Sequence, residues 1–448
     1  MNRACRMFLL LWVGLFCTSC NGQAPLTESS ADQQSSPLDS TGAFVSLNKG
    51  EETWSRFRGP LGDGTSAAKG LPREWGMENN IAWKTRLPGG GSSSPIVWDN
   101  HIYLTSYTGY LVPREDQGNL EDLTRHLLCL DSSNGKLLWD RAVPAKQPEE
   151  SSIRDHGYAA NSCVADADHV YVFFGKSGLQ AFTHAGEPVW QAEVGDKTHG
   201  WGTGSSPILF EDLVIVNASV ESESLIAFDR KTGQQKWRAG QINEAWNTPL
   251  IVKSGSGEDE LVVATHGRIR AYYPRSGDEL WTCETDITWY MVPCAVAGEG
   301  VVYFLGGRSG TASLAVKTGG RGDVTATHRL WTSKKGSNVS SPVYQDGYLY
   351  WANDNLGVVY CAEAATGNLV YEERLPRAGQ IYASSLLADG KIYYITRNGR
   401  TFVVAAKPEY ELLATNDLGD ETNFDASPAV LGNQLLLRSQ HYLYCIGK

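Results

Sequence analysis

The 448-residue sequence holds no Cys-Cys dipeptide and no Cys-x-x-Cys-His run, so it offers neither a vicinal disulfide nor a covalent haem site. None of its nine histidines stands in a His-x-His or His-x-x-x-His pair, which argues against a zinc centre. No Asp-rich loop has calcium-site spacing, although isolated carboxylates are plentiful. Basic charge is short as well. With 39 Lys and Arg against 50 Asp and Glu the formal charge is −11, a sign that repels nucleic acid and anionic lipid. The apolar run Met7–Phe16 is too short to span a bilayer.

That run follows Arg3 and Arg6 and reads as the core of a secretory leader, whose removal takes the charge to −13. Cys17-Thr18-Ser19-Cys20 resembles a bacterial lipobox, with cleavage after residue 19 and acylation of Cys20. The departure is Cys17, where the pattern prefers an aliphatic residue; an ordinary cleaved secretory peptide is the alternative. Asn21 after the cysteine favours the outer membrane in a Gram-negative cell, so the expected location is the cell envelope, on its periplasmic face. Residues 20–50 are rich in Ser, Thr, Gln and Asp and read as a flexible tether to a folded body at 51–448.

Within the body a unit of about 43 residues recurs, usually ending Gly-x-x-x-Trp: Gly135 to Trp139, Gly186 to Trp190, Gly233 to Trp237, Gly277 to Trp281. Openings aligned at Pro207, Pro249, Pro293, Pro342, Ser385 and Pro428 step by 42, 44, 49, 43 and 43 residues. Short strands of alternating character fill each unit, so the expected fold is all-β: an eight-bladed propeller of four-stranded antiparallel blades. The last unit lacks a fourth strand. Asn80–Leu87, with Trp83 at the interface position, is the orphan that closes the ring by joining it. Tyr371 replaces the interface Trp in unit six and Lys407-Pro408-Glu409 replaces the Gly turn in unit seven, so seven blades is the alternative. Asp131–Gly135 and Asp229–Gly233 form turns in which glycine supplies positive φ, and the Trp beyond lies between blades. Arg321-Gly322-Asp323 reads as a turn.

Six cysteines follow Cys20. Cys129, Cys361 and Cys445 take places held by Ala181, Ala227 and Ala271 in other units, and so read as small core residues. Cys283 and Cys294 straddle a unit boundary and could pair.

The Asp-x-x-x-Gly-x-x-x-Trp turns at Asp131–Trp139 and Asp229–Trp237 resemble the pyrroloquinoline-quinone-type (PQQ-like) propeller repeat, over nearly all of residues 54–448. The stretch Trp54–Pro60 with Gly62-Asp63-Gly64 and Leu71-Pro72 is similar to secreted propellers of that superfamily. An anchor plus eight such blades also resembles the BamB family of lipoproteins, scaffolds of outer-membrane barrel assembly.

Loops between blades gather at one channel mouth and are aromatic here: Tyr158, Trp201, Trp246, Trp289, Tyr290, Tyr382 and Phe424. Trp246, Tyr290 and Tyr382 each stand three residues before an aligned opening, so they should reach similar depths. Arg154, Asp155, His156, Asn243, Glu244, Asn247 and Asp425 are polar neighbours. The rings either stack on a flat ligand, sugar or peptide or cap the core. His156 beside Asp155 is the best proton-transfer candidate; a plain loop histidine is the alternative.

The resemblance leaves two functions open. One is a non-catalytic, monomeric lipoprotein scaffold that binds another envelope protein through its loops and touches the membrane only through its anchor. It has no catalytic residues, no metal and no cofactor. The other is a periplasmic PQQ-dependent dehydrogenase with calcium, or a small-molecule or glycan binder using the aromatic mouth. The resemblance implies a vicinal disulfide, calcium and an acidic base for the dehydrogenase, and the first is missing.

Overall fold

The computed structural model describes residues 53–447 except 155 and 309. The leader, Cys20 and the tether to residue 50 lie outside the described residues. Eight sheets form a ring, each with four antiparallel strands, so the seven-blade alternative fails. Blade 1 is Ile96–Trp98, His101–Thr108, Thr124–Asp131 and Leu137–Pro144. Blade 3 repeats the plan with Ile208–Phe210, Leu213–Ala218, Ser224–Asp229 and Gln235–Ala239. The degenerate units are real sheets: blade 6 runs from Val343–Gln345 to Leu369–Arg374, and blade 7 from Leu386–Ala388 to Leu412–Asp417.

Blade 8 closes the circle. Its three C-terminal strands end at Tyr442–Ile446, and Ile81–Arg86 pairs antiparallel with that last strand, Ile81 opposite Ile446 and Arg86 opposite Tyr442. Trp83 stands across from Cys445, and the same pairing recurs as Cys129 with Trp139, Ala227 with Trp237 and Cys361 with Tyr371. A small residue is needed there because an indole or phenol lies beside it. All six cysteines among the described residues are buried and free, so Cys283 and Cys294 do not pair.

The structure explains the Gly-x-x-x-Trp signature as two halves of different interfaces. Each Trp packs on the turn glycine of the following blade. A Cβ on Gly233 would lie 2.6 Å from Trp190, and one on Gly277 would lie 2.5 Å from Trp237. Gly135 meets Trp83 in the same way, across the closure. The glycine therefore serves both its positive φ, 71° at Gly233, and this close approach. The indole N–H then donates to a carbonyl of the same turn, Trp190 to Arg230 O at 3.0 Å and Trp237 to Pro274 O at 3.0 Å.

Other interfaces depart from this: the Trp83 indole N–H finds no acceptor among the described residues, and Tyr371 packs edge-on against Tyr410, where blade 7 lacks the turn glycine. Trp281 donates instead to buried Glu260 at 2.9 Å, because residues 318–328 fold back over it. Gly322–Asp323, read from sequence as a turn, there adds a short parallel strand beside Trp281–Thr282. In blade 7 the interface position is Ala414, paired with Val403. Trp75, from the segment before the closing strand, fills that gap: it packs in the same core as Val403 and Leu418, and its backbone N–H, not its indole, donates to Asn416 Oδ1 at 2.9 Å.

A second circle runs around the channel. The backbone N–H of Ser94 donates to Ser162 Oγ, Ser162 to Ser206, Ser206 to Thr248 and Thr248 to Cys294 Sγ. Cys294 then donates to Ser341, Ser341 to Ser384, Ser384 to Ser427 and Ser427 back to Ser94. All eight contacts lie between 2.8 and 3.3 Å. This ring fixes the register between blades. It also moves the blade 5 opening two residues past Pro293, since Cys294 and not Val292 takes the ring position.

Candidate functional site

The segment after the tether stoppers one end of the channel. Val97 N donates to Trp54 O at 2.9 Å, Ala165 N to Ser55 O at 2.9 Å and Leu387 N to Gly64 O at 2.8 Å. These contacts fall three residues past ring positions 94, 162 and 384, on the far side from the blade-linking loops. Thr65–Ser66 then runs parallel to Leu387–Ala388 of blade 7. Arg58, at a left-handed φ of 65°, donates to Asp63 O at 2.6 Å and to Pro342 O. Trp54–Ser66 is thus a strap beneath the inner strands, and it leaves a cup rather than an open channel.

The cup has a volume of about 230 Å³. Its floor is Phe57 of the strap with ring residues Ser94, Ser206, Thr248, Cys294, Ser341, Ser384 and Ser427. Each ring side chain already accepts a backbone N–H, so its own proton remains for the lumen or a neighbour; Ser384 Oγ–H turns to Ser341 Oγ at 2.9 Å.

Trp201, Trp246, Tyr290, Tyr382, Arg154 and His156 line this cup as a group. Trp289 stands beside it on the rim, 37% exposed. Three other expected residues are buried in the core. Tyr158 packs against Tyr107 and Tyr110, beside the long connection 109–123 between the second and third strands of blade 1. Phe424 stacks on Tyr444 with centroids 6.0 Å apart. Asn247 donates to Ala264 O at 2.7 Å and Met291 O at 3.2 Å. Asp155, paired in the sequence with His156, lies outside the described residues.

Inspection of blade-linking loops alone misses a second layer. Arg308 and Arg397 come from the hairpins between second and third strands, which open on the same side. The signal was present as Gly306-Gly307-Arg308 and Arg397-Asn398-Gly399, a cation next to turn glycines. Three guanidiniums lie over rings around the mouth: Arg154 over Trp201 at 4.9 Å, Arg308 over Trp289 at 5.0 Å and Arg397 over Tyr382 at 4.3 Å. Arg397 also forms a two-point ion pair with Asp425, at 2.7 and 3.2 Å. Tyr290 OH accepts from Arg308 Nη2 and Asn338 Nδ2, both at 3.2 Å. Rings and cations are therefore held in place before any ligand arrives.

A charged cluster lies behind the loops that carry Arg154 and Trp201. Arg125 pairs with Glu149 at 2.9 Å, both buried. Glu221, 2% exposed, shares the small cavity between them, and burial pushes its carboxyl up to about 7.

The carboxylates lining the cup do not suit calcium, which takes six to eight oxygen ligands. Asp425 is committed to Arg397, while Asp354 Oδ1 accepts Asn338 N at 2.9 Å and Oδ2 accepts Asn355 Nδ2 at 2.6 Å. Among the described residues no three His, Cys, Asp or Glu side chains converge as a metal site. A calcium-assisted quinone centre is therefore a poor fit to these residues.

The sequence pattern of the family described as outer membrane protein assembly factor BamB matches residues 76–200, 125–370 and 265–440, most of the chain. The chain belongs to the BamB family. No curated protein sequence matches it. Among solved structures it is similar to BamB from Moraxella catarrhalis, at 13% identity and a TM-score of 0.58, covering 82% of this chain and 98% of that one. It is likewise similar to a europium-containing methanol dehydrogenase, at 12% identity and a TM-score of 0.64, covering 90% and 99%. The quinohemoprotein alcohol dehydrogenase of Comamonas testosteroni matches at 12% identity and a TM-score of 0.62, covering 88% and 81%. At such identities the likeness is one of fold, shared by scaffold and enzyme alike.

Proposed function

We propose that this BamB-family chain is a non-catalytic scaffold of the cell envelope, lipid-anchored at Cys20 on the periplasmic face of the outer membrane. Its mouth holds another envelope protein, and assembly of outer-membrane proteins is the process its family name suggests. The observation that carries the reading is the set of three arginine-over-aromatic pairs on rigid loops around one rim, with Trp289 presented to solvent. Trp, Tyr and Arg are the residues that dominate protein interfaces, and pre-ordered side chains lose little entropy on docking. Affinity capture from detergent-solubilised envelopes tests it. Wild type should recover a stoichiometric partner that a Trp289→Ala, Arg308→Ala double variant loses. Recovery of no partner by wild type, or equal recovery by both, counts against the scaffold.

A second reading is a small flat ligand or sugar in the cup, favoured by its closed floor and stacked walls. Tryptophan fluorescence during titration with pyrroloquinoline quinone, with and without calcium, tests the quinone form of that reading. No quench at micromolar ligand removes it.

A further inference from the structure

Seven members of the inner ring are hydroxyls and one is a thiol, Cys294. The position asks only for a small acceptor, so sulfur is not required by the packing. Cys294 is also the one cysteine among the described residues that lines the cup. Cys294 is 4% exposed and the other five are wholly buried within the sheets, where burial pushes Cys283 up to about 11 and Cys129, Cys361 and Cys445 up to about 12; Cys163 is raised further.

The floor around Cys294 is cationic. Arg58 is 2% exposed and its Nε and Nη1 have no hydrogen-bond partner. Its Nη2 meets Pro342 O, next to Ser341, whose hydroxyl accepts the Cys294 N–H at 3.0 Å. The Asp63 carboxylate is turned to Thr65, at 2.9 and 2.8 Å, rather than to this guanidinium. Burial lowers both Arg58 and the strap's Arg56, the latter to about 10. Buried guanidinium N–H groups without acceptors favour an anion beside them, and a thiolate at that spot is one.

We propose that Cys294 is a modification site at the base of the cup, reached through the aromatic mouth by small thiol-reactive oxidants such as hydrogen peroxide. The thiolate sulfur attacks one peroxide oxygen. The S–O bond forms as the O–O bond breaks, hydroxide leaves, and sulfur is oxidised by two electrons to a sulfenic acid while peroxide is reduced. A small external thiol then condenses with the sulfenic acid, releasing water and forming a mixed disulfide, and another such thiol attacks that disulfide, freeing Cys294 and leaving the external thiols joined as their own disulfide. The site is independent of the scaffold reading, since it needs no protein partner.

The test is peptide-resolved mass spectrometry on the full-length, folded protein. Iodoacetamide at pH 7.5 should label Cys294 at least about tenfold faster than each of the five interior cysteines, as expected for the one described thiol that lines the cup. Peroxide followed by dimedone should trap a sulfenic acid on the Cys294 peptide. Cys294→Ser restores the residue found in most blades and should abolish the adduct with its melting temperature unchanged. Labelling of Cys294 as slow as the interior five, or only as the protein unfolds, overturns the proposal.

Discussion

Glu221→Gln should remove a pH dependence of stability that the wild type carries near neutrality. In the native protein burial raises this carboxyl from 4.5 to about 7, against the partial relief of Thr203 and Arg125. In the unfolded chain it titrates at the ordinary value. Between the two values the native state keeps a proton that the unfolded state has released, so stability falls as pH rises through that window. Below about pH 4.5 both states are protonated and the effect vanishes. A gap of about 2.5 pH units corresponds to about 3 kcal/mol at 1.36 kcal/mol per unit. Spread over roughly 400 residues at about 2 cal/mol/K each, that is about 4 °C in melting temperature. The amide mimics the protonated acid and titrates nowhere, whereas the Arg125–Glu149 pair is common to both proteins. Melting curves of wild type and variant from pH 4.5 to 8.5 should therefore converge at the acid end and separate toward neutrality, the variant being the more stable. A difference that stays constant across that range would refute the burial argument.

Gly233→Ala should cost about 2–4 kcal/mol, combining a left-handed φ with overpacking against Trp190, and calorimetry will read it. Trp237→Ala should cost about 3–5 kcal/mol, because it empties a blade interface and leaves Pro274 O without its donor. Trp289→Ala should leave the melting temperature within about 1 °C, since a surface side chain rarely contributes more than about 0.5 kcal/mol. It should weaken partner capture at least about fivefold, the loss of one interface anchor. Trp75→Ala should destabilise blade 7 selectively, seen as faster amide exchange in Leu412–Asp417 than in the matching strand of blade 3.

Most of the fold was legible because propellers write their architecture as a period. The closing strand was legible too, since Trp83 carries the interface residue without the rest of a unit. What escaped was information that lives between units. The sequence displays Gly233 and Trp237 as one motif, but each faces a different neighbour, and only the assembled ring reveals the exchange. The blade 5 opening was misplaced because a proline at 293 outweighed an ordinary Cys294, whose role depends on Thr248 and Ser341 in the adjacent blades. The candidate site was half legible. Aromatic residues before the opening strands point to a mouth: Trp246 and Tyr382, three residues before their openings, line the cup, whereas Phe424, four before Pro428, turns into the core and Asp425 takes the lining place. Arg308 and Arg397 were hidden because hairpins from other parts of each blade also reach that rim.

The pairing of Ile81–Arg86 with Tyr442–Ile446 also sets a timetable. The chain's early strand must wait, unmatched, while some 350 further residues are made. Until the last of them arrives, two sticky flanks stand open, and a product cut short by even its final strand can never seal. The completeness of such a molecule is checked by whether its two ends can meet.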